Sequence, residues 1–207
     1  MEASVLIMCK ENYNEDLVKK IYSTLDNNFV GKFEVVLVTS LKYNGVCERN
    51  ILLSNSRPNL KCYASRSKNT LDIVKYGVSR CIYNTTFLVS LEDFSEDKLY
   101  LFNSVSLFDF NNRFNAYFST SNELLAIRTY DLRNILKVCD YLNFRDILNV
   151  CEYLNFSLIE IESRQAFKFS SLYTKDVVKR YYKKRKRDKF SIVLCEYVGK
   201  RNLGKAV

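Results

Sequence analysis

The sequence predicts an α/β protein: a mixed, mostly parallel sheet flanked by helices within one domain. Three observations carry this expectation. Apolar runs of strand length at 4–9, 33–38 and 87–91 alternate with segments of helical periodicity. The runs are nearly continuous, as in strands buried on both faces. The chain has 207 residues, 47% of them hydrophobic, with one Pro and five Gly, which suits a folded domain and excludes a low-complexity chain.

The elements follow in order. Residues 4–9 form the first strand. Residues 14–25 form a helix: Asn14 can cap it, Glu15 and Asp16 favour its N-terminus, and Leu17, Ile21 and Leu25 share one face. Residues 33–38, broken only by Glu34, form the second strand and complete a βαβ unit. Residues 39–60 are polar and contain Gly45 and Pro58, so a loop with one short helical piece is expected. A third strand at 60–64, a helix at 69–81, a fourth strand at 87–91 and a helix starting at 95 follow. Further strands are expected at 113–119, 124–128 and 157–161. Between the last two lies a near-duplication of period 12, 135–144 against 147–156, which is expected to form two similar amphipathic helices. Two copies of one helix do not make a solenoid. The domain is expected to span 1–195, including a basic amphipathic segment at 175–190, with a tail at 196–207.

The formal charge is +9, and residues 179–189 hold eight bases and one acid, leaving +2 for the rest. That segment should meet something anionic: a diphosphate, an acidic membrane surface or nucleic acid. Tyr181 and Tyr182 could stack on bases, but no nucleic-acid reading motif accompanies them, so specific nucleic-acid binding is not expected. No apolar run reaches the ~18 residues of a spanning helix, and the N-terminus lacks the basic and apolar regions of a signal peptide. A cytoplasmic protein with reduced thiols is expected. The seven cysteines cannot all pair, and none stand as Cys-x-x-Cys. With no histidine, Ser-His-Asp and Cys-His nucleophile pairs are excluded.

Glu92 and Asp93 follow the fourth apolar run. Ligands of open α/β sheets bind beyond the carboxyl ends of strands, where a carboxylate could hold a hard cation such as Mn or Mg against a diphosphate. The same residues, with Glu96 and Asp97, would equally suit a helix N-terminus.

The order of these segments resembles the inverting family-2 glycosyltransferases, which have the Rossmann-like GT-A fold. The resemblance covers about residues 3–195. The family's metal-binding Asp-x-Asp matches Glu92-Asp93-Phe94, with Phe at the final acid. Thr39 and Ser40 stand where the family usually has two acids that contact base and ribose. Met8-Cys9-Lys10-Glu11 stands at its Pro-Thr-Tyr-Asn, and Val74-Lys75 before Gly77 at its Arg-Asn-x-Gly helix start. The strand ending in Arg128 is similar to the segment that opens the acceptor-side helix. Arg145-Asp146 lies at the block whose Asp is the general base. The stretch 181–187 is similar to the family's Tyr-x-x-x-Arg-Asn-Arg, while the His that completes the family's metal site has no counterpart in 165–169.

The resemblance implies transfer of a sugar from a nucleotide-sugar donor to an unidentified acceptor hydroxyl by metal-assisted single displacement. Asp146 would be the base, Glu92 and Asp93 the ligands of a divalent metal, and Cys9, Glu11, Thr39, Ser40, Lys75 and Arg185 the donor side. The missing acids leave open a GT-A shell that only binds a ligand or partner, or a protein acting on nucleic acid through 179–189. The basic segment also allows peripheral contact with an acidic membrane surface.

Overall fold

Alternation of Leu, Val and Ile on both sides of successive extended segments produces the centre of the structure, a seven-stranded sheet. The computed structural model describes residues 2–29, 31–91, 94–99, 101–102, 115–118, 124–139 and 144–160. In chain order the elements are β1 (Glu2–Met8), α1 (Glu15–Asn28), β2 (Lys32–Ser40), α2 (Asn44–Asn55), β3 (Leu60–Ser65), α3 (Thr70–Arg80) and β4 (Thr85–Val89). A 3₁₀ turn (Glu96–Lys98), β5 (Asn115–Phe118), β6 (Leu124–Arg128), α4 (Thr129–Leu136), α5 (Phe144–Tyr153) and β7 (Ser157–Glu160) follow. The strands lie in the order β3-β2-β1-β4-β6-β5-β7. Only β6 runs against its neighbours; β1 pairs in parallel with β2 and β4, β2 with β3, and β5 with β7. The expected single-domain α/β architecture, a mixed and mostly parallel sheet flanked by helices, is the observed one.

Two cores cover the two faces of this sheet. Val5, Ile7, Val35, Leu37 and Phe87 meet Leu17, Ile21 and Leu25 of α1, with Val46 and Leu53 of α2. The alternate residues Leu6, Val36, Val38 and Leu88 meet Leu71, Val74 and Val78 of α3 and the apolar sides of α4 and α5. The two-residue period of each strand thus feeds both layers at once. Arg133 of α4 locks the second layer by donating to the Val78 and Cys81 carbonyls at 3.1 and 2.8 Å, which occupies the open C-terminus of α3.

Glu34, the one interruption of β2, is a buried junction. Its Oε1 accepts from the Ser4 hydroxyl and the Ile82 amide, each at 2.7 Å, and its Oε2 accepts from Lys61 Nζ at 2.8 Å. The Tyr83 amide donates to Ser4 Oγ at 3.2 Å, so one carboxylate ties β1, β2, β3 and the entry to β4. A buried charge is tolerated only with such saturation.

The differences from expectation have local causes. Asn14 and Asn69 cap α1 and α3 as their positions suggest, accepting from Leu17 and Leu71 amides at 3.0 and 2.8 Å. The stretch 39–60, expected as a loop with one short helical piece, contains the three-turn α2. This helix has no side-chain cap, and its apolar residues circle the axis: Val46 and Leu53 are buried while Ile51 and Leu52 face out. It therefore lacks the one-sided period that marks a helix. β4 ends at Val89, two residues early, because the chain turns as the Phe94 amide donates to the Ser90 carbonyl at 2.9 Å. Gly77 lies within α3 rather than at its start.

The duplicated segments do not form two equivalent helices. Ile135 and Leu136 end α4, and 137–139 form a turn, whereas Ile147 and Leu148 lie inside α5. Both copies bury the same Ile, Leu, Val and Cys in one core, so the apolar spacing is met by two backbone paths. The second copy closes with Asn155 at φ 58°, where the Phe156 and Asn155 amides donate to the Cys151 and Glu152 carbonyls at 2.9 and 3.0 Å. That is a Schellman end with Asn in place of Gly.

Candidate functional site

The strand order reverses between β1 and β4: the chain runs outward from β1 to β3, then returns to the other side of β1. Connections leaving β1 and β4 diverge there, opening a crevice beyond their carboxyl ends, which is where ligands of open α/β sheets bind. A cleft of 540 Å³ occupies this point. One wall is Met8 and residues 10–14, which leave β1; the other is residues 88–91, which leave β4. Tyr43, after β2, and Val74 of α3 complete the lining.

The first wall is tightly anchored. The Cys9 amide donates to the Val38 carbonyl at 2.8 Å, and the Thr39 hydroxyl donates to the Cys9 carbonyl at 2.7 Å. The chain then turns, with the Tyr13 amide donating to the Lys10 carbonyl at 3.2 Å, before Asn14 starts α1. The Tyr13 hydroxyl donates to Asn50 Oδ1 of α2 at 2.7 Å. Arg49 lies over the Tyr13 ring, 5.4 Å from its centroid, and donates to the Glu11 carbonyl at 2.9 Å. Burial raises the Tyr13 phenol above its ordinary range, so it stays a neutral donor.

The residues singled out from the sequence fall in different places. Glu11 lines the cleft. Cys9 is buried behind its wall, and burial pushes its thiol up to about 12, partly offset by the Asn50 amide and Arg49. It is a packed neutral thiol, not a thiolate nucleophile. Thr39 and Ser40 are both 1% exposed, and the Ser40 hydroxyl donates to the Ser67 carbonyl at 2.8 Å. Their hydroxyls bind strand ends and the turn before α3. Lys75 follows the cleft residue Val74 on α3, and its Nζ lies 4.0 Å from Asp72. Asp146 is the third residue of α5. Glu92, Asp93 and Arg185, with segments 179–189 and 196–207, lie outside the described residues. Phe94, which stands at the final acid of the metal motif, is buried 5.6 Å from the Phe102 ring.

Tyr13, Tyr43, Arg49 and Asn50 were not indicated by the sequence pattern. Arg49 and Asn50 stood in the stretch expected to be a loop, and no motif marks them. Among the described residues no cluster of three or more Cys, Asp or Glu can hold a metal ion, and Glu11 is the one carboxylate lining the cleft. A hard cation takes about six oxygen ligands, more than Glu11 alone supplies.

No family model matches the sequence, and no curated protein matches it. Solved structures do share its fold. A mannosyltransferase from Pyrobaculum calidifontis, solved with GDP-mannose and Mn²⁺, aligns over 95% of this chain and 67% of its own, at 14% identity and a TM-score of 0.54. A nucleotidyl transferase from Methanothermobacter thermautotrophicus aligns over 90% of this chain and 96% of its own, at 12% identity and a TM-score of 0.52. The 4-diphosphocytidyl-2C-methyl-D-erythritol synthase of Anaerococcus prevotii covers 89% and 96%, at 8% identity and a TM-score of 0.51. At such identities the likeness is one of fold.

Proposed function

We propose that the protein is a transferase whose cleft binds a nucleoside-diphosphate sugar and passes the sugar to an acceptor hydroxyl. The observation that carries this reading is the 540 Å³ cleft at the reversal of strand order. Its volume lies within the roughly 300–1,000 Å³ of small-molecule sites, enough for a nucleotide. Lys10, Asn12, Asn14 and Ser90 give it cationic and hydrogen-bonding groups, and Tyr13 and Tyr43 give it aromatic surface. The fold is shared with a mannosyltransferase solved with a nucleotide sugar.

In this reading Glu92 and Asp93 would hold a divalent cation, which would offset charge on the diphosphate. Asp146 takes the acceptor proton. Lys75 and Arg185 would meet the phosphates and Glu11 the nucleoside end, while Thr39 and Ser40 hold the strand ends behind it.

A second reading is nucleotidyl transfer, in which a nucleoside triphosphate binds and pyrophosphate leaves. It is favoured by length: this chain spans 96% of the nucleotidyl transferase but 67% of the mannosyltransferase. Calorimetric titration with UDP, GDP, CDP, their sugars and the four nucleoside triphosphates, with and without Mn²⁺, tests both. Tighter binding of a diphosphate sugar supports sugar transfer, and then Asp146→Asn should abolish turnover while keeping donor affinity. Preference for a triphosphate supports the second reading. No binding by any of them refutes both.

A further inference from the structure

We infer that α2 controls ligand affinity from behind the cleft, with Arg49 and Asn50 acting as positioning residues that clamp residues 11–13 in the shape the ligand meets. This rests on the cleft being the nucleotide site proposed above. Two adjacent residues of one helix make every contact in the clamp. Asn50, 1% exposed, takes the Tyr13 hydroxyl at 2.7 Å, which turns that hydroxyl toward α2. Arg49, on the exposed side, covers the same ring at 5.4 Å and binds the Glu11 carbonyl at 2.9 Å. The two side chains therefore grip Tyr13 by its hydroxyl and its face, while the Glu11 bond fixes the peptide two residues earlier.

The placement of α2 makes such a clamp effective. The helix has no side-chain cap and exposes Ile51 and Leu52, yet it buries Asn50. Its Oδ1 meets the cleft wall through the Tyr13 hydroxyl, while its buried Nδ2 has no hydrogen-bond partner. The Arg49 guanidinium makes a charge-assisted bond to a carbonyl while standing over a ring, a pair of contacts that a cationic donor can make and an apolar side chain cannot. The clamp adds to the other bonds of this wall, the Cys9 amide to Val38, the Thr39 hydroxyl to the Cys9 carbonyl and the Tyr13 amide to the Lys10 carbonyl at 3.2 Å. Without the clamp, residues 11–13 would sample other conformations, and the ligand would have to order them on binding.

The test uses the full chain and two readouts. Arg49→Met keeps side-chain length on an exposed position and removes both Arg49 contacts. Arg49→Lys keeps the charge, and Arg57→Met is the matched control. Arg57 also lies over a ring, that of Tyr22 at 5.7 Å, but it touches no cleft residue. Exchange of the Tyr13 amide, bound to the Lys10 carbonyl, should quicken roughly tenfold in Arg49→Met, the change expected for losing one charge-assisted bond. The Cys9 amide, bound to Val38, should not change. Affinity for the best-binding nucleotide from the titration should fall by a similar factor and be largely restored in Arg49→Lys, with Arg57→Met at the wild-type value. Unchanged exchange in Arg49→Met overturns the clamp, as does faster exchange with unaltered affinity. If the wild type binds no nucleotide while Arg49→Met still speeds exchange, the proposed function fails and the anchoring stands without its role in binding.

Discussion

Gly77 sits where α3 crosses β1 and β2, and replacing it by alanine sets two opposing effects against each other. In a helix interior Ala is favoured over Gly by about 1 kcal/mol, so on propensity alone Gly77→Ala stabilises. The packing opposes this. A Cβ at 77 would lie 2.6 Å from Leu6 Cδ1 and 3.0 Å from Val38 Cγ1, both fully buried side chains. Carbon atoms rest about 3.5–4.0 Å apart, so helix and sheet would have to separate by roughly 1 Å or force Leu6 off its rotamer. Overpacking of this kind costs about 1–3 kcal/mol, which makes the net change a loss of up to about 2 kcal/mol. Gly45 in α2 supplies the internal comparison, because a Cβ there meets nothing within 4 Å. Gly45→Ala should hold or raise stability by up to about 1 kcal/mol. Thermal midpoints for both variants decide the matter, with a separation of roughly 2–4 °C in Tm per kcal/mol expected for a chain of this size. If Gly77→Ala is as stable as Gly45→Ala, the close approach of α3 to the sheet is not what fixes this glycine.

Three further predictions concern titratable groups. Replacing Glu34 by Gln should destabilise by about 3 kcal/mol, since it leaves donors from Ser4, Ile82 and Lys61 facing an amide, and urea denaturation at pH 7 measures it. The bond to Glu34 raises Lys61 above its ordinary 10.5, so its stabilisation is complete below that value and lost as pH climbs through the raised one; in Lys61→Met that alkaline loss should be absent. Burial lifts the Cys9 and Cys81 thiols from 9.0 to about 12, so their contribution is complete below pH 9 and declines as unfolded thiols ionise between 9 and 12. Each adds a slope of up to ~1.4 kcal/mol per pH unit, and Cys81→Ala should flatten the fall in unfolding free energy above pH 9. An unchanged slope would refute it.

The parts of the fold that were legible in the sequence are those where local preference and burial agree. Asn14 and Asn69 mark helix starts because a short amide can reach an orphan N–H, and both do. The strands through β4 announce themselves because both sheet faces are buried, and Arg128 ends β6 where α4 begins. What escaped depends on contacts distant in sequence. α2 is held as a helix by β3, Tyr13 and Glu11 rather than by an apolar stripe of its own. The two copies of the 12-residue segment differ in path because their surroundings differ, although their letters hardly do. Within the cleft, Glu11 was legible from its place after β1. The clamp by Arg49 and Asn50 was not, because a side chain gripping a residue 37 or more positions away leaves no local trace.

The fate of Thr39 and Ser40 bears on what kind of recognition this cleft can support. Each is a donor to a main-chain carbonyl, of Cys9 and Ser67 respectively, and each is nearly inaccessible. A carboxylate at 39 could not serve in that place: it would accept rather than donate, set its charge against the Cys9 carbonyl, and lose its water. The hydroxyls are therefore the groups compatible with the way β1 and β2 are joined here. Recognition must then fall to the residues that do line the cleft. Those are chiefly the wall at 10–14, offering Lys10, Asn12 and the Tyr13 ring, opposite Ser90. A wall built from a turn is less rigid than a strand end, because fewer of its main-chain groups are bonded. That difference gives α2 its place in the site. Where carboxylates on a strand end could bind a nucleoside without outside support, a turn needs a second element to hold its shape, and Arg49 and Asn50 are the only α2 side chains hydrogen-bonded to this wall among the described residues.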